Sequence, residues 1–228
     1  MIRVKKLRIT HGSDVLVDIA FDINNSLALV GESGSGKSLT LKALLSMSAK
    51  ELDIDLDIDS AFELIRGDTI SLVPQNPFTA LSPLTKIKNQ LFFDNKQELF
   101  EMLGLDESLL ERYPPELSGG QLQRVVIAIA LGSNAKLLLL DEPTTALDFE
   151  SKQILLNLLK NLQQKLDFKI LFVTHDIASA MVLCEDIAVL ERGVIVEYGS
   201  LESIISSPKE LYTKKLIESD FKNRGFRS

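Results

Sequence analysis

Hydrophobic residues fall on every second position early in the chain, at Val15, Val17, Ile19, Phe21 and Ile23. A period of two marks a half-buried strand, and residues 2–9 supply a plausible partner for it. Residues 26–30 form a short apolar run, and residues 39–47 carry apolar side chains at helical spacing. Asp53, Asp55, Asp57 and Asp59 then alternate with Leu52, Ile54, Leu56 and Ile58, which predicts a strand with a solvated acidic face. A calcium loop is the competing reading of those aspartates. It fails because Ile58 stands where the tight turn needs glycine and Leu64 where a bidentate glutamate should close the site.

Residues 69–73 predict a further strand, ended by the loop Pro74, Gln75, Asn76 and Pro77. The composition then turns helical. Asn95 and Glu98 have the spacing of a capping box, followed by Leu99, Phe100 and Leu103 as an apolar stripe before Gly104. Buried strands are expected over 136–140, 169–174 and 187–190, and a helix over 150–166 carries Ile154, Leu155, Leu158, Leu159 and Leu162. Arg192 and Gly193 suggest a hairpin turn, and residues 221–228 read as a frayed tail. Strands alternating with helices predict a mainly parallel α/β core.

A chain of 228 residues can bury a good core, as one main domain carrying a small insert. Its formal charge of -7 and pI near 5.0 argue against a nucleic-acid partner. The single cysteine, Cys184, excludes an internal disulfide and reads as ordinary core, and two histidines are too few for a structural metal site. No run is long enough to span a membrane and no signal-peptide core is visible, so a cytosolic location is expected.

Chemistry enters at three short segments. Residues 31–38, Gly-Glu-Ser-Gly-Ser-Gly-Lys-Ser, match the phosphate-loop pattern and lie between the predicted strand and helix that such a loop requires. Backbone N–H groups at a helix start close around phosphate oxygens there while a lysine neutralises them. Ser118 and Gln121 have capping-box spacing, with Gly119 and Gly120 in the first helical turn, where missing side chains permit close backbone approach. Asp141 and Glu142 end the apolar run 137–140, two adjacent acids able to take different roles.

Taken in this order, the three segments resemble the nucleotide-binding subunit of ATP-binding cassette (ABC) transporters, over about residues 1–216. The resemblance implies an α/β P-loop NTPase ABC cassette with a RecA-like core, an N-terminal antiparallel β-subdomain and an α-helical subdomain insert. The core would span about 1–75 and 133–216, the helical insert 76–132, and a tail 217–228. The implied cofactors are ATP and Mg²⁺. Gly31, Ser33, Gly34, Ser35, Gly36, Lys37, Ser38 and Leu39 would bind nucleotide, with Lys37 reaching the β and γ phosphates. Ser38, Gln75 and Asp141 would serve the metal, and Glu142, His175 and Gln75 the catalysis, with Glu142 as general base or polariser of water. Ser118, Gly119, Gly120 and Gln121 would cover the γ-phosphate of ATP on an opposing subunit, and Ala146, Leu147 and Asp148 would cross that dimer interface, with Asp148 the functional residue.

Two departures stand out. Relatives stack adenine on an aromatic residue before the phosphate loop, whereas the first twenty residues here contain none. His11 is nearest to that place, either stacking on the base or serving as a turn residue. The stretches 38–75 and 75–118 are also shorter than the importer subgroup suggests. Residues 75–83 resemble the extended Q-loop of peptide, nickel and opine importers, and residues 208–216 resemble their tail, with Glu210 and Leu211 in place of the usual His-Pro. Shortness and the missing aromatic favour nickel over short peptides as cargo. The implied assembly is a peripheral subunit on the cytoplasmic face of the inner membrane. Its partners would be a second, related ABC ATPase (a heterodimer before a homodimer), two permeases and a substrate-binding protein. A soluble ABC ATPase of DNA repair or translation would carry a coiled-coil insert or paired cassettes, and a non-hydrolysing subunit would lack Glu142, His175 or the signature glycines.

Overall fold

The computed structural model describes residues 1–145 and 147–225, which divide into two compact units, Met1–Glu63 with Lys169–Ser228 and Leu64–Phe168. The expected helical insert 76–132 lies wholly within the second unit.

The first unit opens with β1 (Ile2–His11) and β2 (Asp14–Ile23), an antiparallel pair with Ile2 beside Ile23 and His11 beside Asp14. Val17, Ile19, Phe21 and Ile23 are buried, as their alternation predicts. β1 breaks its own alternation at an irregularity after Val4, which leaves both Lys5 and Lys6 exposed. β3 (Ser26–Val30) is buried along its whole length and leads through the glycine loop into α1 (Lys37–Leu44). That helix stops short of the expected residue 47 because Ser46 turns left-handed, at φ 54°. Ser46 N–H then donates to Ala43 O and Met47 N–H to Lys42 O, the paired bonds of a Schellman end. β4 (Asp53–Ser60) pairs antiparallel with β1, and its aspartates meet the cations displaced there. Lys6 lies 2.5 Å from Asp55 and Lys5 3.7 Å from Asp59. Such exposed pairs contribute little to stability.

The second unit contains β5 (Ile70–Val73), α2 (Lys96–Met102), α3 (Gly119–Gly132), β6 (Leu137–Asp141) and α4 (Phe149–Leu166). β5 and β6 run parallel, with Val73 beside Leu140. Between β5 and α3 the described chain is helical or irregular, much of it short 3₁₀ turns such as Pro77–Thr79 and Ile87–Gln90. Leu99, Phe100 and Leu103 are buried as expected, but the expected capping box is not formed. Asn95 has φ -82° and ψ 38°, away from the extended conformation that aims an N-cap side chain at the first-turn amides, and its side chain makes no cap hydrogen bond. On α4, Leu155, Leu159 and Leu162 are buried as expected and Leu158 is half-buried, whereas Ile154 is exposed and Leu156 is buried in its stead. Asp148 caps this helix, accepting from Ser151 N–H and Ser151 Oγ.

The chain re-enters the first unit with β7 (Lys169–Thr174), α5 (Ile177–Leu183), β8 (Asp186–Glu191), β9 (Val194–Ser200), α6 (Leu201–Ser206) and α7 (Leu211–Gly225). β3 lies between β7 and β8, parallel to both, with Val30 beside Thr174 and Val189. β9 returns antiparallel through the expected hairpin turn at Arg192 and Gly193. Cys184 is buried. The tail expected to fray continues α7 as far as Gly225, and residues 226–228 lie outside the described chain. Among the described residues, no helix is long and apolar enough to cross a membrane.

Phe172 is among the largest fully buried side chains of the first unit. Phe172→Ala is expected to lower the unfolding free energy of the subunit by about 3–5 kcal/mol in urea titrations. At Asp148 the amide and hydroxyl of Ser151 hold the carboxyl below the usual aspartate range. Because the folded value is the depressed one, this contribution is complete above the ordinary value of about 3.9 and is lost as pH falls through the lower folded value. Carboxyl-carbon NMR titration should place Asp148 below ordinary aspartates, and Ser151→Ala should move it back up.

Candidate functional site

Parallel pairing decides where the chemistry stands in the first unit. Because Val30 and Thr174 are register partners, the glycine loop and His175 leave the carboxyl ends of adjacent strands. That edge is where open α/β sheets place their ligands. His175 is exposed, and Asp176 behind it caps α5 by accepting from Ser179 N–H.

The loop itself is tightly held. A Cβ on Gly31 would lie 2.2 Å from Leu190 O, so only glycine lets β3 pass the backbone of β8 there. Gly36 starts α1 from the left-handed region at φ 109° and offers no side-chain cap. By contrast α3, α4, α5 and α6 begin with Ser118, Asp148, Asp176 and Ser200, each accepting a first-turn amide. The start of α1 thus keeps its amides for an anion. Lys37 is buried, and its Nζ donates to Gly31 O at 2.7 Å and to Glu32 O at 2.9 Å. Its ammonium is held across the loop by carbonyls. Ser35 Oγ is buried without a hydrogen-bond partner among the described residues, which fits a hydroxyl placed to donate to a phosphate oxygen. Ser33, Gly34 and Ser38 are exposed, and Leu39 is half-buried. The far side of the loop is stitched to the β8–β9 turn, where Gly193 N–H donates to Ser35 O and Gly193 O accepts from Asp18 N–H of β2. His11 is exposed at the tip of the β1–β2 hairpin.

The second unit repeats the logic. Val73 and Leu140 are partners at the ends of β5 and β6, so Gln75 and the acids Asp141 and Glu142 leave one strand edge together. Gln75 Nε2 lies 3.4 Å from Glu142 Oε2, and Thr145 Oγ1 donates to the same oxygen at 3.2 Å. Glu142 takes the left-handed conformation at φ 47°, which costs a non-glycine residue about 1–3 kcal/mol and is typical of functional positions. Thr145 was not foreseen from the sequence, since only the fold of the turn brings its hydroxyl back to Glu142.

The expected capping box at the start of α3 is present. Ser118 Oγ accepts from Gln121 N–H at 3.2 Å, and Gln121 Oε1 accepts from Ser118 N–H at 2.9 Å. Gly119 and Gly120 have no neighbour within 4 Å of an added Cβ. Nothing in the chain itself therefore demands glycine at either position. Arg124, also not foreseen, ties this first turn to the end of α2 by donating to Gly120 O, Leu103 O and Gly104 O. Ala146 lies outside the described residues, while Asp148 stands exposed at the start of α4.

Oxygen donors dominate the residues expected to serve a metal: the Ser38 hydroxyl, the Gln75 amide and the Asp141 carboxylate. Among the described residues no three His, Cys, Asp or Glu side chains form a metal cage. The oxygen donors suit Mg²⁺, a hard cation that takes oxygen ligands and keeps several waters.

Comparison with known proteins agrees with this geometry. The family model described as ABC transporter matches residues 16–145. The dipeptide transport ATP-binding protein DppD of Lactococcus lactis subsp. cremoris is 35% identical over 255 residues, covering 96% of this chain and 73% of its own. The oligopeptide transport ATP-binding protein OppD of Bacillus subtilis is 35% identical over 257 residues, covering 96% and 71%. In a solved dimeric, post-hydrolysis structure, the ATP-binding cassette MJ0796 bound to ADP and Pi superposes with a TM-score of 0.69 at 28% identity, over 88% of this chain and 99% of that one. A glycine loop closed by its own lysine, an aspartate–glutamate pair at a strand end and a capped Ser-Gly-Gly-Gln helix thus meet a family match over more than half the chain: the protein belongs to the ABC transporter family, as an ATP-binding subunit with the ABC cassette fold and ATPase activity.

Proposed function

We propose that this chain binds MgATP, closes head to tail on a second ABC ATPase and hydrolyses the nucleotide to drive import of short peptides. The observation that carries this reading is the open space around Gly119 and Gly120 at a helix start whose cap is already complete. Two side chains are missing where the chain has room for them, which suits the approach of a phosphate group from a partner subunit.

Gly34, Ser35, Gly36 and Lys37 cradle the triphosphate with backbone amides, with Gly31, Ser33, Ser38 and Leu39 completing the loop, and Lys37 exchanges the carbonyls of Gly31 and Glu32 for phosphate oxygens. Ser38, Gln75 and Asp141 would hold Mg²⁺, which would neutralise negative charge on the triphosphate. Glu142 accepts the proton of the attacking water, whose oxygen bonds to the γ phosphorus as the bond to the β–γ bridging oxygen breaks and ADP departs with the electron pair. Its bonds from Gln75 and Thr145 aim the carboxylate. His175 contacts the γ phosphate, and Ser118, Gly119, Gly120, Gln121 and Asp148 complete the site of the opposing subunit. His11, exposed at its hairpin tip, is the residue to stack on adenine.

The cargo follows from the relatives, which are named for dipeptide and oligopeptide transport. Their names favour peptides over nickel. The second ATPase is a related but different chain, and two permeases with a substrate-binding protein complete the importer. This subunit sits peripherally on the cytoplasmic face of the membrane, held there by the permeases.

In the assembled transporter, Glu142→Gln is expected to retain ATP binding and to lose hydrolysis by about 10²–10⁴-fold. Wild-type hydrolysis should rise when the binding protein is loaded with short peptides and stay level with nickel chelates. Unchanged turnover in Glu142→Gln would remove the general base from the mechanism, and stimulation by nickel alone would reverse the cargo. Gly31→Ala forces the loop off Leu190 O, and with a shift of about 1 Å it should cost about a hundredfold in hydrolysis while circular dichroism shows a folded chain.

A further inference from the structure

The tail segment 208–216, singled out in the sequence only as a resemblance, makes a specific contact with the phosphate loop. Tyr212, in the first turn of α7, accepts a hydrogen bond through its hydroxyl from the backbone N–H of Glu32, at 3.0 Å. That N–H and the carbonyl of Gly31 belong to one peptide group. A trans peptide is planar, with its N–H and C=O on opposite sides. The carbonyl end accepts from Lys37 Nζ at 2.7 Å, so a single peptide plane is gripped at one end by Lys37 and at the other by Tyr212.

The root of α7 is fixed in turn. Glu197 of β9 accepts from Lys209 N–H at 2.9 Å and from Glu210 N–H at 3.2 Å, which anchors the chain entering the helix. Thr213, Leu216 and Ile217 are buried, and α7 packs on α5, the helix that follows His175. α7 therefore braces both nucleotide elements of the first unit.

We propose that Tyr212 is a positioning residue for ATP binding, holding the 31–32 peptide in the orientation that presents the Gly31 carbonyl to Lys37 and leaves the loop's later amides facing the phosphates. Gly31 has no side chain to resist rotation of that peptide. When Lys37 turns to ATP, the bond to Tyr212 is what keeps the plane from turning with it. The inference rests on the proposed nucleotide site, since Tyr212 acts only through the loop.

Tyr212→Phe removes the acceptor and keeps the ring. Tyr198→Phe is the matched control, because Tyr198 also spends its hydroxyl on a backbone group, the Asp22 carbonyl, away from the loop. In the assembled transporter, Tyr212→Phe should raise the KM for ATP about two- to tenfold, the equivalent of one lost hydrogen bond, with kcat within about twofold of wild type. Tyr198→Phe should leave KM unchanged. In the isolated full-length subunit without nucleotide, amide exchange at Glu32 should quicken in Tyr212→Phe alone. Identical KM and exchange in wild type and Tyr212→Phe, or equal changes in both variants, would overturn the assignment. A wild-type chain that binds no ATP would instead overturn the functional proposal, and the two failures are distinct because the exchange measurement needs no nucleotide.

Discussion

The parallel register that sets Val30 beside Thr174 on one side and Val189 on the other is the constraint on which the first unit turns. It brings the end of β3 and the end of β7 to one edge, so the phosphate loop and His175 leave the sheet together. It also carries β3 past Leu190 so closely that residue 31 must lack a side chain. Gly31, Lys37 and the β8–β9 turn are consequences of that one alignment rather than separate features. The loop is held by its own Lys37, which donates to the Gly31 and Glu32 carbonyls, and by two neighbours, the Gly193 amide on Ser35 O and the Tyr212 hydroxyl on Glu32 N–H.

A second parallel pair does the same for the acids. With Val73 beside Leu140, Gln75 can reach Glu142, and the left-handed backbone at Glu142 turns its carboxylate toward both Gln75 and Thr145. Hydrogen bonds thus fix the direction of the Glu142 carboxylate, as the general-base role proposed for it requires. The signature helix solves the opposite problem. Its cap is satisfied internally by Ser118 and Gln121 and its root is tied down by Arg124, so its two glycines are left facing open space. A rigid support beneath an uncrowded helix start suits a surface that must receive something from outside the chain.

The mismatches between pattern and structure have local causes. Residues 39–47 look helical throughout because apolar spacing does not register the left-handed turn at Ser46. Asn95 and Glu98 have the right spacing for a capping box, but spacing says nothing of the backbone angle at Asn95, which denies its side chain the first-turn amides. Ile154 fits a helical stripe as well as Leu156 does, and only packing chose the second. The acidic strand was legible as a strand, while the lysines that face it depend on the β1 irregularity and on antiparallel pairing.

Sequence by itself determined the phosphate loop, the capped Ser-Gly-Gly-Gln helix, the Asp141–Glu142 pair and the alternating strands of β2, because each depends on residues a few positions apart. Such features are set by local spacing, turn chemistry and the periods of helix and strand. The tertiary structure alone decided that Gln75 reaches Glu142, that Arg124 reaches the end of α2, and that Tyr212, 180 residues beyond Glu32, holds the loop's first peptide. Those contacts join segments that no periodicity links. They exist only after strand register and helix packing have brought distant groups within hydrogen-bonding distance.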